Sequence, residues 1–182
     1  MGALAATLAL RMSCAGDRGW HTFARGVAGS SSGVDGGSEE RAAGQAPRVT
    51  GAPLTAIAGR LTDSNGRTRT LAELRGTAFV TSLIYTRCTT VCPRTVAALQ
   101  RLERDAAGGT PPRFVLFSLD PAHDTPEVLR AFAATHALDS TRWMLLVPER
   151  GLLPPLASAL GVAWRPGPDG GIQHSAIIAI VD

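Results

Sequence analysis

The stretch AFVTSLIYTRCTTVCPR, residues 78–94, constrains this chain more than any other. Its first eight residues are an unbroken β-branched and aromatic run, the pattern of a strand covered on both faces. Ala78 to Tyr85 is therefore expected at the centre of a sheet. Cys88 and Cys92 follow in one short loop, and Pro93 fits the first turn of a helix, where its missing N–H costs nothing. The segment RTVAALQRLERDAA continues as that helix and is stopped by Gly108 and Gly109. Two thiols thus stand between a central strand and a helix start, where the partial positive charge of the helix end favours thiolates.

The pattern repeats downstream. RFVLFSLD (Arg113 to Asp120) reads as a second buried strand, and Thr125 caps a helix that has Pro126 at its first position. Val128, Leu129, Phe132 and His136 recur there at helical spacing. RWMLLV gives a third strand, LLPPLASALGV a short helix, and Ser175 to Val181 a last apolar strand. Ahead of all of them, LTDSNGRTRTL carries Asn65-Gly66 between short alternating segments and predicts a small β-hairpin at the domain entrance. Strands alternating with helices of about ten residues imply crossovers and a largely parallel, helix-covered sheet. An α/β thioredoxin-like fold, a central mixed sheet flanked by helices, is the natural candidate.

Composition divides the 182 residues into three. Residues 28–50 begin AGSSSGVDGGSEERAAGQAP, which has almost nothing apolar to bury and reads as a flexible linker. Residues 51–182 have an ordinary globular composition and form one domain. Residues 1–27 are a candidate signal or leader segment, because Ala3 to Leu10 is apolar, too short to span a bilayer, and followed by small residues and Cys14. No positive charge precedes that run. Arg11 and Met12 stand where a lipoprotein signal wants Leu and a small residue, which weighs against lipidation of Cys14. Export to the periplasm or another extracytoplasmic face, with a membrane tether through the N-terminus, is the expectation. The net charge of +3 comes from arginines alone, scattered and without interleaved aromatics, so no nucleic-acid partner is inferred.

The two thiols admit two chemistries. A redox dithiol usually has two intervening residues and this loop has three, Thr89 to Val91, which still allows a disulfide but also lets both sulfurs converge on one soft ion such as Cu(I). A third ligand would decide between them, and the chain offers four histidines. His21 lies in the leader, His136 near a helix end, and His123 in the polar loop DPAHDTP, where a surface role is expected. His174 stands in GGIQHSAII, between a Gly-rich turn and the final strand, where a side chain can reach a neighbouring loop. Spacing alone leaves its role open.

YTRCTTVCP, SLDPAHDTPEVLRAFA and QHSAIIAIVD together resemble the Sco/SenC family, from about Leu61 to Asp182. The resemblance implies an exported or membrane-anchored thioredoxin-like copper chaperone that delivers copper to the binuclear copper centre of a cytochrome c oxidase. It implies copper, as Cu(I) or Cu(II), on Cys88, Cys92 and His174. It also implies the oxidase's copper-site subunit and a copper donor protein as partners. Thiol-disulfide reduction by Cys88 and Cys92, keeping the oxidase cysteines reduced, is the alternative the resemblance allows; a peroxidase would have no use for His174. Two departures stand out. Gln173 occupies the position before the histidine where the family commonly has aspartate, which is expected to alter affinity or transfer rate. The family usually continues past the strand that ends this chain, which is expected to leave a sheet edge open.

Overall fold

A computed structural model describes residues 7–12, 48–49, 53–106, 112–167 and 170–181. In chain order the strands and α-helices are β1 (Thr7–Met12), β2 (Arg48–Val49), β3 (Leu61–Asp63), β4 (Thr68–Arg69), β5 (Phe79–Ile84), α1 (Val91–Asp105), β6 (Arg113–Ser118), α2 (Pro126–Thr135), β7 (Trp143–Pro148), α3 (Leu153–Ala159), β8 (Trp164–Pro166), β9 (Ile172–His174) and β10 (Ala176–Val181). The main sheet runs β2-β1-β10-β5-β6-β7-β3-β4, and β8 and β9 form a separate two-stranded ribbon.

β5 is buried at all six positions, as its unbroken apolar run requires, and lies between β6 and β10. Pairing is parallel only through β5, β6 and β7; β10 and β3 join antiparallel. The sheet is therefore mixed, and less parallel than strand–helix alternation suggests. After α3 the chain turns through the β8–β9 ribbon and returns along β5 from the opposite direction, so no crossover helix dictates a parallel entry.

α1 buries Cys92, Thr95, Val96 and Leu99, one face at i, i+3, i+4 and i+7. It starts at Val91, so Cys92 sits inside its first turn, with Pro93 next. Leu99 is fully enclosed, and truncating it to alanine would cost about 2–5 kcal/mol. The expected stop at Gly108 and Gly109 lies outside the described residues. α2 begins as the sequence indicates: the Thr125 hydroxyl accepts from Val128 N–H, and Pro126 takes the first position. Leu129 and Phe132 face the core, whereas Val128 is exposed.

The entrance hairpin is β3–β4. Gly66 adopts φ +79°, the left-handed conformation its turn position needs, and its N–H donates to the Asp63 carbonyl at 2.9 Å. The Asp63 carboxylate completes the turn by accepting from the N–H groups of Asn65 and Arg67, each at 2.9 Å, and from Arg69 Nε at 3.0 Å. On the other flank, the backbone of Thr7–Met12 pairs antiparallel along the whole of β10, Thr7 opposite Val181 and Met12 opposite Ala176. The edge of β10 expected to be open is thus occupied by residues read as leader. The rest of the leader, with Cys14 and His21, and residues 28–47 of the linker lie outside the described residues. Among the described residues no helix is long and apolar enough to cross a membrane.

Candidate metal centre

The cysteine loop folds back on itself before α1 begins. Cys88 N–H donates to the Tyr85 carbonyl at 3.1 Å, and Cys92 N–H donates to Cys88 Sγ at 3.3 Å. Four-residue spacing across a helix start places the second cysteine's amide directly over the first one's sulfur. Cys88 is 7% exposed and Cys92 is sealed. The pair shares a proton: a hydrogen bond from the Cys92 thiol is the main reason Cys88 lies far below the usual thiol range, opposed by burial and aided by His174 and the amides of Cys92 and Thr90. The same bond, with burial second, pushes Cys92 up. The site thus favours ionisation of Cys88 over that of Cys92.

Two aspartates from the loop after β6 fix the approach to the cysteines. Asp124 accepts from Thr86 Oγ1 at 2.6 Å, from Thr86 N–H at 3.3 Å and from Ser118 Oγ at 2.5 Å. Burial raises its pKa, and these hydrogen bonds only partly oppose the shift. Asp120 accepts from Arg87 Nη2 at 2.7 Å and contacts His123 Nδ1 at 2.8 Å. Burial opposes its ionisation, yet His123 and Arg87 hold it below the usual carboxylate value. Residues 86 and 87, immediately before Cys88, are thereby each tied to a carboxylate. His123 is engaged with Asp120 and Arg87, as a surface residue, and His136 packs on Phe132 with ring centroids 4.4 Å apart at the end of α2.

His174 arrives on the ribbon. It ends β9 opposite Trp164 of β8, and only Ser175 separates it from β10. Its Nδ1 lies 3.2 Å from the Ser175 carbonyl, which leaves Nε2 as the ring nitrogen turned toward the cysteines. Nε2 lies 4.0 Å from Cys92 Sγ. Gln173, one residue before, is exposed and accepts from Arg165 Nε at 2.9 Å across the ribbon. The sulfurs of Cys88 and Cys92 and a nitrogen of His174 all lie within 4.8 Å of one another. Ligand atoms bound at about 2.0–2.3 Å to one ion are spaced on this scale, and two sulfurs with one imidazole suit a soft ion such as Cu(I).

The structure thus brings together the three residues singled out from the sequence and leaves His123 and His136 elsewhere. Sequence reasoning passed over Tyr85, Thr86, Asp120 and Asp124. Both aspartates stood in DPAHDTP, where His123 alone was weighed as a site residue, and Tyr85 was given no role beyond ending an apolar run and opening the YTRCTTVCP motif. Tyr85 is 9% exposed, its ring meets that of His174 edge-on at 5.9 Å between centroids, and its hydroxyl accepts from Ile172 N–H at 3.4 Å.

Residues 50–182 match the SCO1/SenC family model. The chain is 32% identical over 85 residues to the SCO1 protein homolog of Bacillus subtilis, a match covering 46% of this chain and 44% of the relative. It spans about half the length of the curated relatives it matches. Among solved structures, a SCO1/SenC family lipoprotein from Bacillus anthracis aligns with TM-score 0.57 and 28% identity, covering 63% of this chain and 70% of that one. ScoI of Bradyrhizobium japonicum, solved with copper bound, aligns with TM-score 0.53 at 23% identity, over 67% and 79% of the two chains, and shares the fold.

Proposed function

The chain belongs to the SCO1/SenC family, and from that premise we propose that it is a copper-binding metallochaperone that delivers copper to the binuclear copper centre of a respiratory cytochrome c oxidase. The observation that carries this reading is the convergence of Cys88, Cys92 and His174 within 4.8 Å. Copper is the cargo. Cys88 is the readier thiolate, and Cys92 becomes a second when the ion displaces its proton. His174 offers Nε2 as the third donor from a separate element, so the ligand set can open by moving one ribbon rather than unfolding a helix. Transfer is then an exchange of ligands, with no electron transferred, to the thiols and imidazoles of an acceptor: the oxidase's copper-site subunit. A copper donor protein loads the site the same way.

Loading the reduced full chain with Cu(I) under anaerobic conditions tests the reading. One equivalent should bind, and His174→Ala should weaken binding, as measured by competition with a chromophoric chelator. Binding of no copper, or equal affinity in the variant, would count against it. The same thiol pair supports thiol-disulfide reduction as a second reading, favoured by the readier ionisation of Cys88. Attack by the Cys88 thiolate on a disulfide forms a mixed disulfide, which Cys92 then resolves, leaving Cys88 and Cys92 oxidised and the substrate reduced. In that case His174→Ala would slow exchange with a model disulfide and leave Cu(I) affinity unchanged.

The domain proper is residues 51–182, behind the linker at 28–50 and the leader at 1–27, and we place it outside the cytoplasm. A lipoprotein among its structural relatives supports that placement. The pairing of Thr7–Met12 on β10 makes it testable, because removal of the leader would take that strand away. Mass spectrometry of the chain recovered from an exporting host should find the N-terminus beyond residue 27; a start at Met1 in the cytosolic fraction would reverse the assignment.

A further inference from the structure

Tyr85 lies between the cysteine loop and the ribbon that carries His174. Its hydroxyl accepts from the backbone N–H of Ile172, two residues before His174 on β9. The ring of the same residue lies edge-on to the His174 imidazole at an interplanar angle of 75°. Tyr85 itself is anchored: it follows β5 directly, is buried in the core, and its carbonyl accepts from Cys88 N–H. The ribbon it touches is much less secured. β8 is exposed at all three positions, and β9 is only partly covered.

We propose that Tyr85 is a positioning residue that holds the β8–β9 ribbon against the cysteine loop, so that His174 stands beside the two sulfurs before any metal arrives. This rests on the reading of Cys88, Cys92 and His174 as the copper ligands. A ligand on a weakly packed ribbon would otherwise be ordered only on binding, at a cost in affinity. The tie recovers that cost through one hydrogen bond to the ribbon backbone and one ring contact. Because it bonds the backbone at Ile172 rather than His174 itself, the imidazole remains free to leave with its cargo once the ribbon lifts.

Tyr85→Phe removes the oxygen and keeps the ring, so the fold is retained. Two measurements on the full chain decide the matter. In the reduced, metal-free protein, amide hydrogen exchange at Ile172 should quicken by roughly three- to tenfold, the scale of one lost hydrogen bond, with exchange along β5 unchanged. Cu(I) affinity by chelator competition should fall by a similar factor, and this loss should vanish when Tyr85→Phe is made in a His174→Ala background, since there is then no third ligand to position. Unchanged exchange and affinity would overturn the proposal. So would an equal affinity loss in both backgrounds, which would mean Tyr85 acts on the cysteine loop alone. If the parent chain binds no Cu(I), the underlying reading falls, and that is seen before any Tyr85 variant is compared.

Discussion

The entrance hairpin depends on one buried aspartate, Asp63, and the approach to the cysteines on two, of which Asp124 is partnered quite differently from Asp63. Asp63, 5% exposed, receives two backbone N–H groups and the guanidinium of Arg69. Asp124, 1% exposed, receives one backbone N–H and two hydroxyls, and among the described residues it has no ion pair. For each, burial is the largest influence and favours the neutral acid, but only at Asp63 do the hydrogen bonds and Arg69 outweigh it. The hairpin is therefore closed by a carboxylate charge compensated on the spot. The cysteine loop is held by a carboxyl with little compensation, next to the two thiols of the proposed copper site. Asp63 belongs to stability, and Asp124 to the shape of a site.

Exchanging the readouts of the two regions tests that division most severely. Cys92→Ala should reduce Cu(I) affinity by more than about a hundredfold, beyond the 10–100-fold typical of losing a group behind a ligand. Asp63→Ala should leave Cu(I) binding at parental strength and destabilise the fold by about 1–3 kcal/mol, because the amides of Asn65 and Arg67 lose their acceptor. Urea unfolding and chelator competition on both variants read the outcome. An Asp63 variant with weakened copper binding would show that the hairpin contributes to the site, and the comparison would fail.

The sequence made one of these regions much plainer than the other. Strand β5, the start of α1 and the cap at Thr125 follow from local rules, since a doubly buried strand must be continuously apolar and a helix start needs a cap or a proline. Asn65-Gly66 announced a hairpin, although it is Asp63, two residues earlier, whose carboxylate closes it. The β8–β9 ribbon was not legible. Trp164 to Pro166 are exposed on both sides and leave no alternation to read, so His174 was placed by a Gly-rich turn rather than by the strand that carries it. The antiparallel return of β10 was hidden for the same reason. Asp124 was invisible as a support for Thr86 because nothing in DPAHDTP says which strand end its loop will face. Contacts of that kind exist only once β5 and β6 lie side by side, with Ile84 opposite Ser118.

The smallest expected effect separates the two aspartates most finely, because their linkages to pH have opposite signs. Asp63 has its folded pKa below its ordinary value of 3.8, so its contribution is fully present above that value and is lost as pH falls through the folded one. Asp124 has its folded pKa above 3.8. Between those two values the folded chain holds a proton that the unfolded chain has released, so stability declines as pH rises through this window and levels off above it. Asp63→Asn and Asp124→Asn remove the two linkages while keeping side-chain size. Urea midpoints for the parent and both variants, taken in steps from about pH 3 to 8, should show the advantage of the parent over Asp63→Asn shrinking toward the acid end. The parent's standing against Asp124→Asn should instead worsen as pH climbs above 3.8. The carboxamide can still accept from Thr86 and turn its NH2 toward Ser118, so the slope, rather than the absolute stability, carries the information. Two variants whose profiles run parallel would mean that both carboxylates are equally compensated, and the distinction between a stabilising aspartate and a site-shaping one would have to be abandoned.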